Sequence, residues 1–180
     1  MFRAQRADTK EWVEGYIARV HRRNEKGEIE SYFFNALDEL GWSYECIVSA
    51  ETVCQYAGLN DSTKWEELSE DEKEKFLSER NHKEDRLNTK EDWNGRRIFE
   101  GDVLSCSHSR LKEGEDERDF MPEYEEYTRN YAVEFVNKGG HCGYRCRNKS
   151  IHFTLTQNTV YNHDINVIGN LWDNPELLNQ

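Results

Sequence analysis

Cysteine and histidine are the residues of this chain whose chemistry is easiest to picture at work. His141 and Cys142 are adjacent, Cys146 follows at a Cys-x3-Cys step, and Cys106 and His108 form a Cys-x-His step upstream. Thiolate and imidazole are zinc ligands, but these steps match poorly the paired Cys-x2-Cys knuckles from which closed sites are built. No metal and no cofactor are therefore expected. Cys142 or Cys54 could serve as a nucleophile beside one of the six histidines, yet no nucleophile signature surrounds either. Asp102 follows Gly101 in a corner where an aspartate has a sufficient reason to exist, bonding nearby backbone amides. Glu125 and Glu126 stand in an acidic run that water can solvate without any acid-base task. The glycines are scattered at corners, so no loop cradles a phosphate. No catalytic set assembles, and the chain reads as a non-enzyme.

Aromatic residues carry a different signal. Tyr32, Phe33 and Phe34 are consecutive, and neighbouring residues of a strand point to opposite faces. One ring at least must find a second apolar surface, and a partner chain is the simplest supplier. These three are the candidate interface residues. Trp12, Trp42, Trp93 and Trp172 read as core or barrel-end rings. A nucleic-acid platform would interleave aromatics with basic residues, whereas Arg19, Arg22, Arg23, Arg96, Arg97, Arg145, Arg147 and Lys149 fall in small local clusters.

Composition sets the limits. Hydrophobic residues make up 36% of the 180, aromatics 12%, and the mean hydropathy is -1.03. The core is therefore small and rich in rings. A net charge of -12 argues against gripping nucleic acid over a broad face and against anionic membrane surfaces. No stretch approaches the roughly 18 apolar residues of a membrane helix, and no apolar run marks a secretory leader, so the expectation is a cytoplasmic protein. Five cysteines without a regular frame fit free thiols.

The elements that must hold these residues are mainly β. In Glu11 to Val20 the alternation puts Trp12, Tyr16, Ala18 and Val20 on one face; in Trp42 to Val48 it groups Trp42, Tyr44, Cys46 and Val48. Turns are expected at Asp8-Thr9-Lys10 and Asn24 to Gly27, with a partly buried strand over Ile29 to Leu37. Residues 62–92 hold eleven acidic and seven basic residues, and Ser69 with Glu72 forms a capping box. That segment reads as a helical insertion with few apolar anchors, Trp65 foremost, dispensable for the fold. Glu113 to Glu126 carries eight acidic residues and one arginine and reads as a mobile loop. Strands are expected over 95–109, Asn130 to Val136, Ser150 to Leu155 and Asp164 to Ile168, with a turn at Lys138-Gly139-Gly140. Asn174 before Pro175 starts a short helical plug.

Four phrases in order carry a family likeness: Phe2-Arg3-Ala4; Glu51 to Leu59; Asn94 to Leu104; and Val167 to Leu178. Together they resemble the YopX-like family of bacteriophage and prophage proteins, over roughly residues 1 to 61 and 93 to 178. The chain departs where members have proline, glycine and threonine, here Ala50, Cys54 and Ala57, and where members run almost directly from the Leu59-Asn60-Asp61 phrase to Asn94-Gly95. The resemblance implies an SH3-like small barrel over residues 93–180 after an N-terminal β-meander over 1–61, all within a single domain. It carries over no functional residue, since the family has no assigned activity. The expected role is a non-catalytic accessory module binding a protein, either itself or a host or phage protein, with no direct contact to nucleic acid. The alternatives are an acidic DNA mimic that occupies a host nucleic-acid-binding protein and an enzyme with a Cys- or metal-based site.

Overall fold

Period-two apolar patterns dominate the chain, and in the computed structural model they become strands. It describes residues 1–37, 43–81, 84–118, 120–138, 141–149 and 151–179. Trp42 and the Gly139-Gly140 turn lie outside the described residues. The strands are β1 (Phe2–Gln5), β2 (Trp12–Arg23), β3 (Ile29–Leu37), β4 (Ser43–Ser49), β5 (Cys54–Asn60), β6 (Arg80–Asn81), β7 (Arg86–Leu87), β8 (Arg97–Phe99), β9 (Asp102–Leu111), β10 (Tyr124–Lys138), β11 (His141–Asn148), β12 (Ile151–Thr154) and β13 (Asn166–Asn170). Two α-helices join them, α1 (Glu70–Ser78) and α2 (Gln157–Asn162). The chain divides into two compact units, one of residues 1–58 and 63–99, the other of 59–62 and 100–180. Among the described residues no helix is long and apolar enough to cross a membrane.

The first unit holds a sheet in the order β4-β3-β2-β1-β5-β8. Its core is Ala4, Phe34, Ala36, Cys46 and Val48, with Phe2, Val13, Ile17 and Tyr32 packed against it. This corrects the expected parity of β2. Val13 and Ile17 face inward, while Tyr16 is 54% exposed. Both faces of β2 are apolar enough to be buried, so alternation alone cannot choose between them. Gly15 decides it. A Cβ there would lie 2.2 Å from the Asn35 carbonyl oxygen, so only glycine allows β3 to close on this face. Register shifts after Ile17 and after Val20 then change the parity along the strand. On β4, Cys46 and Val48 are buried as expected and Tyr44 is partly exposed. Both expected turns form, with Lys10 at φ 63° and Gly27 at φ 81°.

Within 63–92 the capping box of α1 forms, the Glu72 amide donating to Ser69 Oγ and the Ser69 amide to Glu72 Oε2. Its anchors are rings: Trp65, Phe76 and Trp93 meet edge to face at centroid distances of 5.1 to 6.2 Å. Trp93 Nε1 donates to the Thr63 carbonyl, and Arg96 binds both Thr63 Oγ1 and Glu72. Leu77 and Leu87 are left exposed, so the apolar stripe is as thin as its composition suggests.

The second unit is a sheet in the order β12-β11-β10-β9-β13, antiparallel at each pair. The closed SH3-like barrel expected for this region is not formed; β12 and β13 are its two edges. The reason lies in the β13 edge, whose backbone already has partners. The Val167 amide donates to Asp61 Oδ2 at 2.8 Å, and the Ser62 amide donates to the Ile165 carbonyl at 2.7 Å. An edge satisfied in this way has no call for another strand. The expected acidic loop is shorter than its composition suggests, because residues 124–126 belong to β10. Arg110 pairs with Glu125 across the ladder and Lys112 with Glu123, so opposite charges fall in register. Helix α2 was not anticipated. It is capped by Thr156 and Thr159 rather than by the Ser/Thr-x-x-Glu pattern that marks a helix start. At the end, Pro175–Asn179 forms a 3-10 turn whose Leu177 carbonyl accepts from Asn130 Nδ2. Gly101, at φ 79°, lies under the Trp172 ring, where a Cβ would meet carbon at 2.1 Å.

Two glycine substitutions separate close packing from backbone strain. Gly15→Ala forces β3 off β2 and is expected to cost about 2–3 kcal/mol. Gly27→Ala meets nothing within 4 Å and carries only the positive-φ penalty of about 1–2 kcal/mol. Urea midpoints of the two variants measure the difference, and equal midpoints would contradict the tight β2–β3 contact.

Candidate functional site

The three consecutive rings divide as strand geometry demands. Phe34 is fully buried, and Tyr32 packs on the same core. Phe33 points the other way, to the outer face of β3, opposite Ile47 of β4 and Arg19 of β2. There it lines a cleft of ≈ 620 Å³ with Arg6, Ala7, Asp8, Glu45 and Ile47. A guanidinium covers the ring: Arg19 Cζ is 3.9 Å from its centroid and Arg19 Nη2 is 3.0 Å from Glu45 Oε1. At the opposite rim Arg6 grips Asp8 with two bonds, Nε to Oδ1 at 2.9 Å and Nη2 to Oδ2 at 2.8 Å. That fork holds the Asp8 carboxyl well below the usual carboxylate range. The Ala7 amide donates to the Ile47 carbonyl, tying the β1–β2 turn to β4 and forming the cleft wall. The arrangement has an apolar floor and a rim of both charges, which suits binding of a side chain rather than bond making.

In the second unit the cysteines and histidines assemble differently from the zinc arrangement weighed above. Cys106 and Cys146 are fully buried free thiols, and the hydrogen bond between them, with burial, lifts the Cys146 thiol far above its ordinary range. Cys142 is exposed near the β10–β11 connection, and the His141 side chain lies outside what is described. Among the described residues no three of His, Cys, Asp or Glu converge as metal ligands would. In the first unit Cys54 is buried and its thiol donates to the Thr52 carbonyl at 3.0 Å; burial raises the Cys46 thiol. The nucleophile of a cysteine enzyme is the thiolate, and that form is disfavoured at Cys46 and Cys146.

Beside the thiol pair stands a cluster that sequence reasoning missed. His108 stacks on Tyr127 at 5.3 Å and 22°, lies 4.9 Å from the His163 ring, and has Tyr131 and Phe153 as its other ring neighbours. The two histidines are far apart in sequence, and His163 follows the unforeseen helix. One signal was available: Leu104, Cys106 and His108 alternate on one face of β9, so His108 belongs to the inner side. Ser107 and His163 are joined twice, the Ser107 amide donating to the His163 carbonyl at 2.7 Å and His163 Nδ1 lying 3.0 Å from the Ser107 carbonyl. A carbonyl only accepts, so Nδ1 carries hydrogen. Tyr131 Oη is 3.1 Å from His108 Nε2, and Arg129 also bonds that hydroxyl. Arginine only donates, so the phenol oxygen accepts from Arg129, and its contact with His108 Nε2 joins the two rings. Burial, then His163 and Arg129, push the His108 pKa down, and burial pushes the Tyr131 phenol up.

Several arginines of the basic clusters are engaged by carboxylates. Arg97 pairs with Glu14, Arg96 with Glu72, and both Arg145 and Arg147 with Glu134. Asp102 is fully buried at its corner. A family model described as YopX protein matches residues 89–179. The phrases at residues 2–4 and 51–59 lie outside that match. No curated protein and no solved structure matches the chain.

The histidine cluster makes stability depend on pH. His108 is facing His163, Arg129, Tyr127 and Tyr131, with only cationic or neutral groups among those partners. Its folded pKa lies below the ordinary 6.5, so the neutral ring is favoured in the fold. The stability it contributes is full above about pH 6.5 and is lost as pH falls towards the lowered folded value. Urea midpoints between pH 7 and pH 5 should fall in the wild type and fall less in His108→Gln. An identical pH slope in both would refute the assignment.

Proposed function

The chain belongs to the YopX protein family, and from that premise we propose that it is a non-catalytic protein-binding accessory module of phage or prophage origin, working in the cytoplasm of a bacterial host. The second unit is, on this reading, a splayed relative of the SH3-like barrel, with its free edge closed by residues 61 and 62. The observation that carries the binding role is Phe33: a large ring on the outer face of a sheet, lining a cleft and covered on one side by the Arg19 guanidinium. A partner's apolar side chain can exchange places with that long, flexible side chain at little cost in structure.

Two further observations favour this reading over its rivals. A DNA mimic needs unengaged carboxylates spaced like phosphates, whereas Glu14, Glu45, Glu72 and Glu134 are each bound to arginine. A cysteine enzyme needs a thiolate, which burial disfavours at Cys46 and the Cys106 hydrogen bond with burial disfavours at Cys146. Net charge points the same way for nucleic acid, since a polyanion is repelled once within the ~8 Å Debye length of physiological salt.

Affinity purification from a bacterial host with wild-type and Phe33→Ser baits tests the role, with sedimentation to detect self-association. A partner or second copy retained by the wild type and lost by the variant is expected, with the thermal transition of the variant preserved. A strict monomer with no Phe33-dependent partner would overturn the proposal. So would salt-sensitive retardation of random duplex in a gel shift.

A further inference from the structure

Three strongly exposed large apolar side chains lie close together in sequence at the β9–β10 hairpin. Phe120 is 98% exposed, Met121 79% and Tyr124 51%. Burying a Phe or Met side chain is worth about 1.5–3 kcal/mol, so two such side chains held fully in water are a departure from ordinary surfaces. The hairpin neck is not slack. Lys112 and Glu123 are joined by an ion pair and by a backbone bond from the Lys112 amide to the Glu123 carbonyl, and Arg110 pairs with Glu125 one step below. The Glu115 amide bonds back to the Lys112 carbonyl, and the Glu123 amide to the Glu115 carboxylate. These bonds tie the two sides of the neck together as far as Glu115 and Glu123.

Charge says what can cover it. Residues 113–126 carry eight acidic side chains and one arginine. Arg118 is matched by Asp116, and Glu113, Glu117 and Glu126 are exposed in the same segment as the apolar residues. A second copy of a chain with net charge -12 would bring like charge to these carboxylates. An anionic membrane would do the same. Complementarity requires a protein segment apolar on one face and basic on the other, the kind of target that surfaces combining Met, aromatic rings and carboxylates capture.

We propose that the Phe120–Met121 hairpin tip is a second interaction surface, which takes a basic amphipathic segment of a partner protein. It rests on a different unit from the Phe33 cleft and does not depend on it. The probe is a fluorescein-labelled amphipathic helix of leucine and lysine, about five turns long, measured by anisotropy with the full chain at about 50 mM salt. A control peptide of equal composition has its leucines scattered. Wild type is expected to bind the amphipathic peptide at least roughly tenfold more tightly than the control. Phe120→Ser/Met121→Ser should lose that margin with its thermal transition unchanged, because neither side chain packs against the fold. Phe33→Ser should keep it, and Glu113→Gln/Glu117→Gln should weaken binding and flatten its salt dependence. No binding by the wild type, equal binding of both peptides, or undiminished binding by the Phe120→Ser/Met121→Ser variant would each overturn the proposal.

Discussion

A guanidinium laid over an aromatic ring recurs throughout this protein, and much of the fold depends on it. Arg3 lies over both Trp12 and Phe99, Arg6 over Tyr44, Arg19 over Phe33, and Arg110 and Arg129 over Tyr127. A chain with 36% hydrophobic residues cannot cover both faces of two sheets with aliphatic side chains. Arginine can serve as a lid because its guanidinium is flat and weakly hydrated, stacks on a ring, and still bonds a carboxylate at its edge. Each such contact is worth about 0.5–2 kcal/mol, less than a buried leucine, yet it leaves the surface polar. The carboxylates that hold the lids in place, Asp8, Glu45 and Glu125, are thereby bound to the rings they border. The acidic composition and the aromatic composition are two sides of one packing solution.

The same economy governs the sheet edges. β13 is closed by a carboxylate and a serine amide contributed from residues 61 and 62, far earlier in the chain. A charged acceptor makes a stronger bond to an amide than a neutral carbonyl does. One aspartate therefore does for that edge much of what another strand would have done. This is why the second unit can remain an open sheet without offering its β13 edge to another chain. It also explains why residues 59–62 belong with the second unit while the segments on either side belong to the first.

What could be read from the residues beforehand follows from how local the determining physics is. The Ser69–Glu72 box, the Asn24–Gly27 turn and β3 over Ile29–Leu37 rest on contacts within a few residues, and they form where expected. The face of β2 was misjudged because the choice rests on Gly15 meeting Asn35, a contact made across strands. Residues 124–126 became strand because of charges paired with 110 and 112, which composition within the segment cannot reveal. Helix α2 escaped because two threonines can make a reciprocal cap that the usual Glu or Gln pattern does not describe. For the candidate site, strand alternation was enough to say that Phe33 and Phe34 part company. The meeting of His108 with His163 was not legible, since it needs the path of the chain between them.

The interior of the second unit shows how the protein separates charge from chemistry. Its overall charge is -12, yet the groups recorded around His108 are His163, Arg129 and neutral phenols, with no carboxylate among them. A carboxylate there would stabilise the imidazolium and raise its pKa; burial, then His163 and Arg129, lower it instead. The adjacent Cys146 is likewise held as a thiol by Cys106 and by burial. These groups act through hydrogen bonds, His163 Nδ1 donating to the Ser107 carbonyl and Arg129 to the Tyr131 hydroxyl. Such a network orients the rings. In this acidic protein, an interior of hydrogen-bonded aromatic rings and thiols is a structural support. The features open to a partner are then the outward ones, the Phe33 cleft and the hairpin ribbon.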